Sequence, residues 1–264
     1  MKLGFIGTGN MASAIMGGVI GKGLFKADEI IGADLFAPGR ERVKEQFGIH
    51  VTTDNKEVVS KAEVIILSVK PQFYADVIAG IKDEVTDEKI IITIAPGKTL
   101  GWLSEQFGKA VKIVRTMPNT PAMVGEGMTA ACPNEHMTEE EIAHVKEILE
   151  SFSNVEVVPE KLMDVVTAVS GSSPAYVFMF IEAMADAAVS GGMPRAQAYR
   201  FAAQAVLGSA KMVLDTGRHP GELKDMVCSP AGTTIGAVRT LEERGFRSAV
   251  FEAVKVCEEI SRSL

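Results

Sequence analysis

Three hydroxyls crowd one stretch of the chain: Ser229, Thr233 and Thr234, in the run CSPAGTTIGA at 228–237. Ser229 and Pro230 are placed to be the cap and first residue of a helix, with Gly232, Thr233 and Thr234 in the turn that follows. A helix start that carries hydroxyls and unpaired N–H groups suits a carboxylate. Ordinary capping explains the same residues. A second stretch, SGSSPAY at 170–176, repeats the layout, with Ser173 as cap and Pro174 first in the helix. What is missing narrows the chemistry. No Ser-His-Asp set and no paired carboxylates stand out, and the four histidines lack ligand spacing, so no metal site is expected. Hydride transfer to a carbonyl wants a strong proton donor such as His or Lys. A cyclic imine asks for less, because its nitrogen is basic and a Thr hydroxyl can hydrogen-bond it while hydride reaches the carbon.

A hydride donor has an obvious seat. The apolar run at 2–7 ends in Gly7-Thr8-Gly9-Asn10-Met11-Ala12, and helix-like sequence follows. In a strand-turn-helix unit, Gly7 permits the tight turn, Gly9 lets the backbone approach a pyrophosphate, and Ala12 allows close helix packing. The helix start adds free N–H groups and the positive end of the dipole. Asp34 ends the second strand, where a carboxylate grips ribose hydroxyls and repels an extra phosphate, whereas Arg40 and Arg42 lie close enough in sequence to reach that phosphate. The choice between NADH and NADPH stays open at this level. Val69, Lys70 and Pro71, in SVKPQ at 68–72, leave an apolar strand at its carboxyl end and are expected to line the cofactor. Asn119, held between two prolines in TMPNTPA, offers a donor and an acceptor to a carboxamide or to substrate.

The elements that must position these residues fall into two halves. Up to about residue 160, strand candidates at 2–7, 29–34, 63–69, 89–95, 111–117, 128–133 and 155–159 alternate with amphipathic stretches. Several strands are continuously apolar, as suits a sheet covered on both faces. Thr138 and Glu141 have capping-box spacing at the head of one helix. This is the grammar of an α/β Rossmann-type doubly wound sheet over 1–160. From 161 to 264 the strand signals vanish and an all-α domain is expected, with Gly217 and Gly245 as helix stops. Its first long helix carries Val177, Ile181, Met184 and Ala188 on one face and Phe178, Met179, Phe180 and Ala185 on others. A helix apolar nearly all round is normally buried, and so small a domain has little room to hide it. Burial against a second subunit is expected. Glu182 and Asp186 break the apolar run, which reads as too short and too charged to span a membrane.

The net charge of −7 argues against nucleic acid as a partner. Cys132, Cys228 and Cys257 are far apart and read as free thiols. Glycines at 4, 7 and 9 interrupt the N-terminal apolar stretch, which reads as a strand and turn rather than a signal peptide; a cytoplasmic location is expected.

The segments GFIGTGNMASAI, SVKPQ, RTMPNTPA, SGSSPAYVF and HPGELKDMVCSPAGTTIGAVRTLEERGFRSA together resemble the pyrroline-5-carboxylate reductase family, in order and from residue 3 to about 250. The resemblance implies reduction of L-1-pyrroline-5-carboxylate to L-proline by NADPH, with NADH also admitted, as the last step of proline biosynthesis. It implies a homodimer interlocked through the helical domain, with dimers often joined into larger rings. It implies cofactor contacts at Gly7, Thr8, Gly9, Asn10, Met11, Ala12, Asn55, Ser68, Val69, Lys70 and Pro71. Substrate contacts fall on Ser229, Gly232, Thr233 and Thr234, with the Thr234 hydroxyl on the imine nitrogen. Three positions depart from the family's habit: Ser173 and Ala231, where glycine is frequent, and Asp34, which does not fit a clean NADPH preference. Two other readings share the plan. A 3-hydroxyacid dehydrogenase or related imine reductase would place a Lys with an Asn one helical turn later, whereas Lys211 is followed by Asp215. A non-catalytic redox sensor would leave the threonine-rich helix start without a purpose.

Overall fold

The apolar runs at the centre of the first half are continuous because both faces of those strands are covered. In the computed structural model, which describes residues 1–263, eight strands form one sheet: β1 (Leu3–Ile6), β2 (Ile30–Ala33), β3 (His50–Thr52), β4 (Val64–Leu67), β5 (Ile90–Thr93), β6 (Lys112–Met117), β7 (Gly127–Pro133) and β8 (Ser153–Val157). Their spatial order is β3-β2-β1-β4-β5-β6-β7-β8. Every pairing is parallel except that of β6 with β7. Alternate residues enter two separate cores. Leu3, Phe5, Ile30, Ile66 and Ile92 pack on one face, and Ile6, Ile31, Ile65, Leu67 and Ile91 on the other. Each such side chain, fully buried, stabilises by about 1.5–3 kcal/mol before chain entropy is counted.

The crossovers are α1 (Asn10–Gly21), α2 (Ala37–Phe47), α3 (Asn55–Lys61), α4 (Tyr74–Ile81), α5 (Leu100–Phe107) and α6 (Glu139–Leu149). In α1, Ala12, Ile15, Met16 and Val19 recur at helical spacing and are all buried. The capping box on α6 forms as the spacing predicts: Thr138 Oγ1 accepts from Glu141 N, and Glu141 accepts from Thr138 N. The sequence shows seven strands and the structure has eight. The addition, β3, is a three-residue edge strand whose His50 is exposed and whose Val51 and Thr52 are only half-buried, so it carries no apolar run.

A short helix, α7 (Met163–Val166), runs into a π turn at Thr167–Gly171 and then into α8 (Ser173–Ser190). Ser173 lies within α8 rather than before it, so it is not the free-standing cap that its Ser-Pro context suggests. The continuous helical stretch Glu160–Ser190 is longer than the apolar run within it, and by length and composition alone, with an 18-residue window of mean hydropathy 1.2, it is long and apolar enough to cross a membrane. After α8 come α9 (Arg195–Thr216), α10 (Pro220–Val227), α11 (Thr233–Glu243) and α12 (Phe246–Arg262). Gly217, left-handed at φ 62°, closes α9, and Gly245 at φ 74° turns the chain between α11 and α12. The α10 helix has no counterpart in the sequence reading, because His219-Pro220-Gly221 looks like a turn. In the structure the His219 ring caps it, accepting from Gly221 N at 3.0 Å.

Two compact units emerge: Met1–Ser172 with the chain end from Cys257, and Ser173–Val256. In the first unit the end of α12 is tied down. Ser261 is buried and donates to Asp164 at 2.8 Å, and the Cys257 thiol meets the Ser172 hydroxyl at 3.2 Å.

Candidate functional site

The glycine turn sits where β1 ends, at the carboxyl edge of the sheet. Gly7 has φ 99°, and a Cβ there would lie 2.7 Å from the carbonyl of Ser68, so both torsion and close approach demand glycine. Gly9 is the opposite case. A Cβ there would meet nothing within 4 Å, and the residue caps α1 without offering a side chain. The first N–H groups of α1 therefore face open space with no capping acceptor. That is the fit a pyrophosphate needs. Thr8 is fully buried, Asn10 is exposed, and Ala12 is buried against the sheet.

Side chains lock this turn to its neighbours. One oxygen of the Asp34 carboxylate accepts from Thr8 N at 2.8 Å and from Thr8 Oγ1 at 3.0 Å; the other accepts from Phe36 N at 2.9 Å. Asp34 is thus a strut between the ends of β1 and β2, with the lone pairs that remain available to a ribose. Ser68 Oγ donates to the carbonyl of Gly7 at 2.7 Å, joining the end of β4 to the same turn. The two arginines are also engaged. Arg40 donates to the Asp34 carbonyl at 2.5 Å, and Arg42 to the Thr8 carbonyl at 2.8 Å and to Ser13 Oγ at 3.2 Å. Beside the turn lies a cavity of about 650 Å³, lined among others by Gly7, Asp34, Phe36, Asn55, Lys56 and Val69. Asn55 opens α3, whose cap is the Asp54 carboxylate accepting from Lys56 N. Lys70 precedes a 3-10 turn that Pro71 begins, as a proline can.

The exit of β5, Ala95-Pro96-Gly97 with Gly97 at φ 74°, shares this edge of the sheet. It is absent from the sequence reading, although its Pro-Gly pair is a turn signal. Asn119 ties two loops together. It is 9% exposed; its Nδ2 donates to the Ser170 carbonyl at 3.0 Å and its Oδ1 accepts from Met128 N at 2.9 Å. Both ends of the amide brace the main chain, with one N–H and one oxygen lone pair left uncommitted.

In the helical unit the hydroxyl cluster forms a different turn from the one its Ser-Pro pair suggests. Ser229 to Gly232 make a β-turn, closed by Gly232 N donating to the Ser229 carbonyl at 3.0 Å. Ala231 takes φ 57°, and it is the sole non-glycine residue with positive φ among the described residues. Gly232, not Ser229, is the cap of α11, and Thr233 and Thr234 are its first two residues. A Cβ on Gly232 would fall 2.3 Å from Ser229 Oγ, so the serine hydroxyl folds tightly over the cap. No side chain caps α11 and its first turn has no acidic residue, which leaves its N–H groups suited to an anion. Thr234 is half-buried and Ser229 and Thr233 are exposed. Among the described residues no group of three or more His, Cys, Asp or Glu is arranged to hold a metal. Burial pushes the Cys132 thiol up, and nothing places it near either cluster.

Known proteins match both halves. The family model described as "Pyrroline-5-carboxylate reductase dimerisation" matches residues 160–264, and that for "NADP oxidoreductase coenzyme F420-dependent" matches residues 2–97. A pyrroline-5-carboxylate reductase of Escherichia coli is 52% identical over 100% of this chain and 98% of its own length. The solved pyrroline-5-carboxylate reductase of Coxiella burnetii superposes with a TM-score of 0.92 at 33% identity, covering 99% of this chain and 97% of that one. The Plasmodium falciparum pyrroline carboxylate reductase, solved with NADP bound, does so with a TM-score of 0.91 at 33% identity, over 100% and 97%. Likeness of this degree, running from end to end and through both the glycine turn and the hydroxyl cluster, makes the chain a member of the pyrroline-5-carboxylate reductase family.

Proposed function

We propose that the chain reduces L-1-pyrroline-5-carboxylate to L-proline with NADPH, and also accepts NADH, as the last step of proline synthesis. The observation that carries this reading is the 52% identity, over the whole chain, to a relative named for that reaction. Residues Gly7 to Ala12, with Asp34, Asn55 and Ser68 to Pro71, hold the dinucleotide, which when bound supplies the hydride. The α1 N–H groups neutralise its pyrophosphate, and the Asp34 carboxylate reads its ribose. Ser229, Gly232 and Thr233 present hydroxyls and N–H groups to the substrate carboxylate. The Thr234 hydroxyl donates to the lone pair of the neutral imine nitrogen, which draws electron density from the ring carbon and stabilises the charge that builds on nitrogen as hydride makes that carbon tetrahedral. The product nitrogen takes its proton from that hydroxyl, which water reprotonates; a substrate that arrives as the iminium already carries the proton and donates a hydrogen bond through it to the Thr234 oxygen instead. Asn119 fixes the π turn through the Ser170 carbonyl and offers its remaining N–H and lone pair to the carboxamide or the substrate.

The division of labour is 1–160 for the dinucleotide and 161–264 for substrate and dimer contacts. The dimerisation model that matches residues 160–264 supports a homodimer through the helices, and dimers joined into larger rings extend that plan. The enzyme works in the cytoplasm on a small molecule, without nucleic acid or membrane. Nothing favours the hydroxyacid dehydrogenase alternative: Lys211 forms an exposed ion pair with Asp215 at 2.7 Å. The test is to follow oxidation of NADPH and NADH separately with pyrroline-5-carboxylate supplied and to assay L-proline. Proline formed in step with dinucleotide oxidation is the expected result, and no oxidation with either donor refutes the reading.

A further inference from the structure

The parallel ladder between β4 and β5 ends at the pair Leu67↔Thr93. Beyond that pair the two strands part, one into Ser68–Pro71 and the other into Ile94–Gly97. The phenol of Tyr74 stands in this fork. It comes from the first residue of α4 and is fully buried. Its Oη donates to the Leu67 carbonyl at 2.5 Å and accepts from Ile94 N at 3.3 Å. One hydroxyl thus closes the fork one residue past the last pair of the ladder. Burial pushes the phenol above its ordinary value, so it keeps the proton it donates.

This contact completes a lateral chain of ties along the carboxyl edge. Asp34 joins the end of β2 to Thr8, and Ser68 joins the end of β4 to Gly7. Tyr74 then carries the chain of ties from β4 to β5, and Thr116 Oγ1 continues it from β6 by donating to the Thr93 carbonyl at 2.8 Å. The ties at Gly7 and Thr8 act on the glycine turn directly. Tyr74 is different, because it lines no part of the cavity and its hydroxyl bonds to the main chain of two strand exits while its ring packs in the core.

We propose that Tyr74 is a positioning residue for the dinucleotide, fixing the separation of the β4 and β5 exits so that Ser68–Pro71 meets the cofactor in register. The inference rests on the proposed function, in that the carboxyl edge must be the dinucleotide site. A phenylalanine keeps the ring and its packing but leaves the buried Ile94 N–H without this acceptor. Loosening of a binding loop by about 1 Å is enough to change affinity and rate by up to about a hundredfold.

Tyr74→Phe is therefore expected to weaken NADPH binding about tenfold by calorimetric titration. KM for the dinucleotide rises in parallel, and KM for pyrroline-5-carboxylate stays within twofold. Ile78→Val, on the same helix and equally buried, removes packing without touching either exit and should leave dinucleotide affinity within twofold. An unchanged affinity in Tyr74→Phe overturns the proposal, as does an equal loss in Ile78→Val. Calorimetry keeps the two claims apart. If Tyr74→Phe loses affinity while the unaltered protein turns over no pyrroline-5-carboxylate, the proposed function fails and the tie stands. If the unaltered protein binds neither NADPH nor NADH, both fail.

Discussion

The two units bury their apolar residues in opposite ways. The largest fully buried side chains, Tyr74, Phe5 and Phe152 among them, all belong to the sheet unit. Between residues 173 and 256 the only buried residues, among those described, are Ala185, Ala198 and Ala202. Meanwhile Phe178, Met179, Phe201, Leu214 and Phe251 of the helices are each at least 60% exposed. A sheet with helices on both faces closes its own core. A set of helices that hides three alanines and exposes its aromatics does not, and an exposed apolar surface of that kind marks an interaction face. The sheet unit closes its own core, and the helical unit leaves open the apolar face that the proposed second copy would cover.

The sharpest way to break that contrast is a charge on the exposed helical face. Met179 is 68% exposed in the single chain, so Met179→Asp would be harmless there. Covered by a partner, the carboxylate would be buried unpaired, at about 3 kcal/mol or more. Sedimentation at micromolar concentration should show the mass falling from that of a dimer toward the 28.2 kDa of one chain, with activity lost. A dimer that survives unchanged would show that this face of α8 is not what pairs.

Next in size is Thr234→Ala, which asks whether chemistry resides in the helical unit. Loss of one transition-state hydrogen bond lowers kcat about 10- to 100-fold. Dinucleotide affinity, a property of the other unit, should not move. An unaltered kcat removes Thr234 from the reaction; a large loss of affinity would mean that the units do not divide the work.

The contrast also decides what could be read from the sequence. The inner strands are legible because both faces are buried, which leaves apolar runs; the edge strand β8 shows instead as valines around an exposed Glu156, and β3 is missed because an edge strand of three residues needs no apolar run. Gly7 is legible because its turn is local. Asp34 is visible as a residue at the end of β2, but its two hydrogen bonds from Thr8 form only once β1 and β2 lie side by side. Tyr74 leaves no trace at all, since a buried tyrosine and a buried phenylalanine look alike until the fork it closes is formed. In the helical unit the hydroxyl cluster does open a helix, but the cap falls one turn later than its Ser-Pro pair suggests. Ser-Pro reads as cap and first helical residue, whereas here it opens a β-turn, and the cap falls on Gly232. The same Ser-Pro signal misled at Ser173, where the helix is entered from a π turn instead.

Asp34→Ser sharpens the claim that the sheet unit alone sets cofactor choice. The carboxylate is fixed by Thr8 and Phe36, so it cannot swing away from an extra ribose phosphate, while Arg40 and Arg42 are held by main-chain carbonyls. Serine removes the negative charge and keeps a hydroxyl near Thr8. The ratio of kcat/KM for NADPH over NADH should rise about tenfold, close to the 1.4 kcal/mol that one screened charge contact supplies. No change in the ratio would show that Asp34 is a strut and nothing more.

The smallest effect expected is at Ala231, and it tests the helical unit against itself. Left-handed backbone costs an L-residue about 1–2 kcal/mol, and Ala231 adopts it at φ 57° in the turn that aims Thr233 and Thr234. Glycine relieves that strain but gives back about 0.5–1 kcal/mol through the greater freedom of the unfolded chain. Ala231→Gly should therefore stabilise the protein by about 0.5 kcal/mol, read as a shift of the denaturation midpoint. The turn is the same with either residue, so KM for pyrroline-5-carboxylate should hold. A loss of stability would mean that the alanine methyl packs against something the single chain does not contain, and a partner surface reaching this turn would be the direct explanation.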